Sequence, residues 1–329
     1  MPAEFASART VPPGAADEVI AAAIALADEG DAAAAVDLLD RFDRDHWDGR
    51  VEKALVDLRH RAVEQLRPAP PHPFPDVAPF DGPVRDGIPV VPLEQLDAGL
   101  VRSGIVTSGC VLVPGAVGRA ECERLIEVTE RGLAAYDAAD RGETPDPAYY
   151  DEFVPGETFP IRHRAMNPPQ DGRRSSLWTV DSPRLLQEVC VLIDRIGLGA
   201  VVREYVGERP VLSAKKSNLR RVPTDMVLAS WHQDGAFMGE GIRTINVWMA
   251  LNDCGVDAPG MDIVLRRLED IVPTGTEGSI FDWAVSHAMA EEVAGGAIVR
   301  PEFSAGDVLL FDELMLHRTA CAEGMTHER

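Results

Sequence analysis

Seven prolines crowd into residues 67–83, RPAPPHPFPDVAPFDGP, and no helix or sheet interior tolerates that density. Each proline removes a backbone donor and fixes one dihedral, so the segment reads as an extended, semi-rigid connector. It divides the chain into an N-terminal helical segment (1–66), a proline-rich linker (67–86) and a main domain (87–329). Before the linker, apolar residues recur at helical spacing: Ile20, Ala23, Ile24, Ala27; then Ala32, Ala35, Val36, Leu39; then Val51, Ala54, Leu55, Leu58. Gly30-Asp31 and Asp48-Gly49 punctuate three helices, expected to pack on the main domain or to join two copies in a homodimer.

After the linker, a helix is expected from Arg119 to about Tyr136 and another over Leu185–Tyr205, flanking a polar stretch from Asp137 to Val180. Beyond Pro210 the texture becomes short β-rich runs: Val211–Val222, Met226–Trp231, Ile245–Leu251, Ala297–Phe303 and Val308–Asp312. Helices before and strands after predict an α+β fold, a jelly-roll or barrel buttressed by helices.

Acidic residues outnumber basic ones 54 to 32, a net charge of -22, and such a field repels phosphate backbones and anionic lipid. Nucleic acid and membrane are therefore poor partners. Five dispersed cysteines without a CxxC pair read as reduced thiols. The first residues lack the basic and apolar regions of a signal peptide, and no apolar run approaches a membrane span, so the expected location is cytoplasmic.

The chemistry concentrates in two places. In Trp231-His232-Gln233-Asp234-Gly235, at the end of a β-run, residues two apart point to one side, so His232 and Asp234 can bite one metal ion. In GDVLLFDELMLHRTA, a Gly306-Asp307 turn launches an apolar strand that ends in His317. Two imidazoles and one carboxylate form the facial triad that suits Fe(II) and leaves three positions open. Two of those can take the keto and carboxylate oxygens of 2-oxoglutarate, and the third dioxygen.

WHQDG, INVWMALNDCGVDAPGMD and GDVLLFDELMLHRTA together resemble, in order, the blocks of the phytanoyl-CoA dioxygenase family, within the wider double-stranded β-helix oxygenases; the resemblance runs from about Gly104 to Arg329. It implies a cupin-like double-stranded β-helix, Fe(II) and 2-oxoglutarate as cofactors, and hydroxylation of a metabolite with release of succinate and CO2. It also implies a hydroxyl at Thr319 and an arginine, here Arg329, on the far carboxylate of 2-oxoglutarate. Trp248 resembles the tryptophan that lines the cosubstrate pocket. The family's barrel carries a further strand at this point, so against the resemblance the sequence looks clipped or lacks its last strand. Independently, Asn218 and Arg220 alternate onto one strand face from which they can reach the cosubstrate.

An insert, Pro273–Gly296, carries Phe281, Trp283 and His287 and is expected to fold over the barrel mouth as an aromatic lid. The loop from Tyr149 to Trp178, with Arg162, Arg164, Arg173 and Arg174, offers contacts for an anionic substrate. Two other functions compete: a cupin-like metal enzyme that does not use 2-oxoglutarate, and a non-catalytic binding module with an incomplete barrel.

Overall fold

The computed structural model describes Pro12 and residues 14–66, 77–154, 174–224, 230–238, 242–276, 278–279 and 281–329. In chain order the elements are helices α1 (Ala15–Asp28), α2 (Ala32–His46) and α3 (Gly49–Glu64), strands β1 (Val84–Arg85) and β2 (Ile88–Pro89), helix α4 (Ala98–Ser108), strand β3 (Cys110–Val113) and helix α5 (Arg119–Asp140). Then come β4 (Ser176–Trp178), α6 (Pro183–Arg195), α7 (Leu198–Val206), β5 (Asn218–Arg220), α8 (Gly235–Met238), β6 (Ile245–Met249), β7 (Gly260–Val264), α9 (His287–Ala294), β8 (Ile298–Val299), β9 (Val308–Asp312) and β10 (His317–Ala320). The chain is therefore mixed helix and sheet. No helix among the described residues is long and apolar enough to cross a membrane.

The chain forms two compact units. One comprises Met1–Leu66, Arg124–Arg195 and Val211–Arg220. Its three N-terminal helices are capped as their sequence suggests: the Asp31 carboxylate accepts the Ala34 N–H at 2.8 Å and Asp48 accepts that of Arg50 at 2.9 Å. Their alanine and leucine faces bury one another through Ala23, Ala27, Ala35, Leu39, Leu55 and Leu58. Helix α6 joins this pack because its polar face is bonded to α3. Gln187 accepts from the Arg59 guanidinium at 2.9 Å, and Arg184 donates to Glu52 at 2.5 Å. Residues far beyond the proline-rich connector thus return to the helical unit. Of that connector, residues 67–76 lie outside the described residues, as do Arg162, Arg164 and Arg173 of the arginine-bearing loop. Arg174 is described, and it donates to Asp140 at 2.6 Å and covers the Tyr136 ring.

The other unit comprises Arg67–Glu123, Ile196–Pro210 and Arg221–Arg329. Two antiparallel sheets of three strands organise it, with orders β3-β9-β6 and β10-β7-β8. In the first, Leu310 of the central strand β9 faces Val111 on one side and Val247 on the other. Every residue of β9 and β7 is buried. The turn that launches β9 requires glycine: Gly306 has φ 93°, and a Cβ there would stand 2.1 Å from the Val117 carbonyl oxygen. Asp307 completes the turn by accepting the Gly115 N–H at 2.9 Å and an Arg85 guanidinium hydrogen at 2.5 Å.

Three expectations need correction. The single helix over Leu185–Tyr205 is two, α6 and α7, because Gly197 takes a left-handed φ of 78° between them. The run Val211–Val222 is strand only over Asn218–Arg220, the rest being turn and coil around Ser213–Ser217, where N–H groups bond locally. The apolar strand expected to run from the Gly306-Asp307 turn into His317 is two, because a turn at Glu313-Leu314 ends β9 at Asp312 and His317 opens β10 in the other sheet; among the described residues the strands form ladders of two or three strands.

Candidate metal centre

The second unit brings His232, Asp234 and His317 together, and their ligand atoms all lie within 4.8 Å of one another. The backbone enforces this. His232 and His317 form an antiparallel bridge in which each N–H donates to the other's carbonyl at 3.0 Å, and their ring centroids are 4.3 Å apart. Asp234, two residues on, brings its Oδ1 to 4.0 Å from His232 Nε2.

Both imidazoles are oriented from behind. Nδ1 of His232 lies 2.9 Å from the Ser230 carbonyl, and Nδ1 of His317 lies 3.0 Å from that of Met315. A carbonyl only accepts, so each Nδ1 carries the proton and each Nε2 keeps its lone pair for a metal. Phe311 packs edge-on against the His317 ring at 4.9 Å. Two neutral imidazoles and a carboxylate are the donors that Fe(II) takes in a facial triad, so the residues fit that ion.

Gln233, between two of these residues, points the opposite way and is 1% exposed. Its amide nitrogen donates to the carbonyls of Leu314 at 2.7 Å and Asp270 at 3.1 Å, and its oxygen accepts the Val272 N–H at 2.7 Å. Gly235 follows where no side chain fits easily: a Cβ would meet the Glu313 carbonyl oxygen at 3.1 Å, which the Gly235 N–H already engages at 2.9 Å. Two carboxyl groups lie just before His317 in the chain. The buried Asp312 is pushed above the usual carboxylate range by burial, against the opposing pull of the Arg267 guanidinium bonded to it. Burial likewise raises Glu313, which accepts the Thr244 N–H at 2.9 Å.

Outside the triad, Asp262 of β7 receives two arginines, Arg300 at 2.7 Å and Arg318 at 2.9 Å, and Arg318 also lies over the Trp231 ring at 4.8 Å. This clamp joins β7, β10 and the residue that follows β8, and it reaches the residue before His232. Sequence reasoning singled out neither Gln233 nor Asp262. The only signal available was a polar residue among buried ones.

Thr319 stands opposite Met261, two residues beyond His317 and hence on the same strand face. Arg329 donates to the Gly260 carbonyl at 2.7 Å, and its guanidinium lies 5.5 Å from the Trp248 ring centre. Gly260 is also the partner of Ala320, so Arg329 and Thr319 share one end of the β7–β10 ladder. Trp248 is half-buried and packs on Phe303 at 4.6 Å. Asn218 and Arg220 lie in β5, opposite Trp178 and Ser176, in the helical unit.

The expected lid is anchored to the strand that carries His232. The Val285 N–H donates to the Trp231 carbonyl at 2.9 Å, and Trp231 Nε1 donates to His287 Nδ1 at 3.1 Å. Val272, Val285, Ala290 and Ala294 share a core with Trp231, Val264 and Leu316.

Solved structures with a similar chain path include AviO1 from Streptomyces viridochromogenes (18% identity, 70% of this chain and 90% of that chain covered, TM-score 0.43) and EvdO2 from Micromonospora carbonacea complexed with 2-oxoglutarate (12%, 69% and 84%, 0.42). A third is the epimerase SnoN in complex with Fe3+, alpha-ketoglutarate and nogalamycin RO (16%, 70% and 80%, 0.42). No curated protein sequence matches the chain. The model of the phytanoyl-CoA dioxygenase family matches residues 106–321, more than half of the 329 residues and all three converging side chains. The chain belongs to the phytanoyl-CoA dioxygenase family, whose cofactors are Fe(II) and 2-oxoglutarate.

Proposed function

We propose that this protein is an Fe(II)- and 2-oxoglutarate-dependent oxygenase that hydroxylates a small-molecule metabolite. Substrate, dioxygen and 2-oxoglutarate would give hydroxylated product, succinate and CO2. The observation that carries the reading is the convergence of His232, Asp234 and His317 with both Nδ1 atoms committed to backbone carbonyls. In this reading Nε2 of His232, Nε2 of His317 and the Asp234 carboxylate hold the iron. When bound, that iron couples decarboxylation of 2-oxoglutarate to activation of dioxygen. The carboxylate favours hydroxylation over halogenation, because it fills the position that a halide would need.

The remaining residues bind and orient. Thr319 and Arg329, at one end of the β7–β10 ladder, are assigned to the far carboxylate of 2-oxoglutarate, and Trp248 to the wall beside it. Asn218 and Arg220 are the next residues to test for that contact. The two three-stranded sheets are read as the walls of a double-stranded β-helix. The net charge of -22 argues against a phosphate-rich partner, including the phosphates of coenzyme A.

The test is succinate release from the full chain supplied anaerobically with Fe(II) and 2-oxoglutarate and then exposed to dioxygen. Succinate and CO2 in equal amounts, absent without iron, are expected, with faster release in the presence of a substrate from a metabolite panel. Succinate no higher than the iron-free control throughout the panel overturns the reading.

A further inference from the structure

Two aromatic rings pack on the imidazole of one candidate ligand, and a third packs on one of those two. Trp283 meets the His232 ring edge-on, with centroids 5.9 Å apart and planes at 87°, and Phe237 lies 6.0 Å from the same imidazole. Trp283 is also edge-on to Phe237 at 6.0 Å, while Phe281 stacks parallel to Trp283 at 5.0 Å and 7°. All three rings are half-buried, whereas Trp231, one residue from His232, is only 2% exposed and belongs to the core. Apolar ring surface left partly in water beside a reactive centre gains free energy when another apolar face covers it.

The insert that carries Phe281 and Trp283 is attached on both sides of these rings. Its root is held where Gln233 bonds Asp270 and Val272. Beyond the rings, Val285 bridges to Trp231, and the Gly275 N–H closes the loop on the Ala284 carbonyl at 2.9 Å. Rings held this way lose little freedom when a ligand stacks on them. The three side chains carry no charge, and the exposed Asp282 stands between Phe281 and Trp283 in the chain. An anionic substrate group therefore gains little at this wall.

We propose that Trp283, Phe281 and Phe237 form a fixed aromatic wall that binds a flat, uncharged ring face of the substrate beside His232. This rests on the oxygenase reading for the identity of the adjacent centre, but ring binding itself does not need iron. Two sources offer such a face, an aromatic ring and the C–H face of a sugar.

Equilibrium dialysis of the full chain without iron, using 2-naphthol, methyl β-glucopyranoside, cyclohexanol and 2-naphthoate as probes, tests the proposal. The expected result is saturable binding of 2-naphthol or of the glucoside, weaker binding of cyclohexanol and of the charged 2-naphthoate, and a loss of about tenfold in affinity in Trp283→Ala. Trp283→Phe should restore most of that loss. If circular dichroism shows Trp283→Ala unfolded, Phe281→Leu, which keeps the volume and removes the ring, should still weaken the bound probe. Whichever probe saturates names the source. Affinity equal in wild type, Trp283→Ala and Phe281→Leu overturns the wall, and so does the absence of saturable binding by either flat probe. A parallel Fe(II) titration reads the metal centre separately: ring binding without iron binding would sink the oxygenase reading and leave the wall standing.

Discussion

The carboxamide of Gln233 accepts the backbone N–H of Val272 at 2.7 Å, so the residue between the two candidate ligands His232 and Asp234 is tied to the root of the aromatic insert. The same side chain donates to Leu314, three residues before His317. One buried amide therefore sets the backbone on both sides of the metal centre. Gln233→Leu strands the buried Val272 N–H, at a cost of about 1–3 kcal/mol, and leaves the partly buried carbonyls of Leu314 and Asp270 without their donor. The expected outcome is a lower melting temperature together with Fe(II) affinity weakened about tenfold, since the ligands lose their fixed spacing. Gln233→Glu separates the two effects, because its carboxylate would face the Leu314 and Asp270 carbonyls. Repulsion raises its folded-state pKa, so its stability is best at low pH and falls as pH rises. A pH-independent melting difference between Gln233→Glu and wild type would mean that the amide's donors are not used.

Single substitutions at the triad read the metal assignment directly. His232→Ala and His317→Ala should each abolish iron-dependent succinate release while retaining the wild-type circular dichroism spectrum, because two ligands seldom hold Fe(II) against water. Asp234→Gly should also lose hydroxylation. Full activity in Asp234→Gly would remove the carboxylate from the ligand set.

Arg329 is expected to govern cosubstrate affinity. Lysine keeps the charge and loses the planar fork, so Arg329→Lys should raise KM for 2-oxoglutarate by about tenfold, Arg329→Ala further, and Thr319→Val less. Initial rates against 2-oxoglutarate concentration give the answer. If KM in Arg329→Ala matches wild type, the carboxylate partner lies elsewhere, with Arg220 the next residue to substitute.

In the helical unit, Asp43 is fully buried and its carboxyl is pushed from 3.8 up to about 8, first by burial and then by the charge of Glu52. A raised folded-state pKa favours the protonated form. Its contribution to stability is therefore complete below about pH 4 and declines as pH rises towards 8. Asp43→Asn keeps an oxygen for the Asp48 N–H, which donates to Asp43 at 2.9 Å, and removes the charge. The variant should melt several degrees above wild type at pH 8.5 and near it at pH 4, as followed by calorimetry. Equal melting at pH 8.5 would show that Asp43 ionises there without penalty.

Much of this protein is written in short-range pattern. The periodicity of Ile20, Val36 and Leu55 is enough for α1, α2 and α3, because a helix needs only local bonds and one apolar face. The triad is legible for a related reason. The spacing of His232 and Asp234 puts them on one side of the chain, whereas His317 opens β10, a strand separate from the one that the Gly306-Asp307 turn launches. What tertiary structure decided is which distant groups satisfy each other. That α6 returns to α3, that Gln233 bonds backbone at Asp270, Val272 and Leu314, and that Arg300 and Arg318 meet on Asp262 are all pairings between segments far apart in sequence. A buried polar residue advertises that it needs a partner, but its own sequence neighbourhood does not name one. The insert makes the same point: its aromatic content is visible in the sequence, whereas its attachment through Val285 and His287 to Trp231 exists only once both segments are folded against the strand that carries His232.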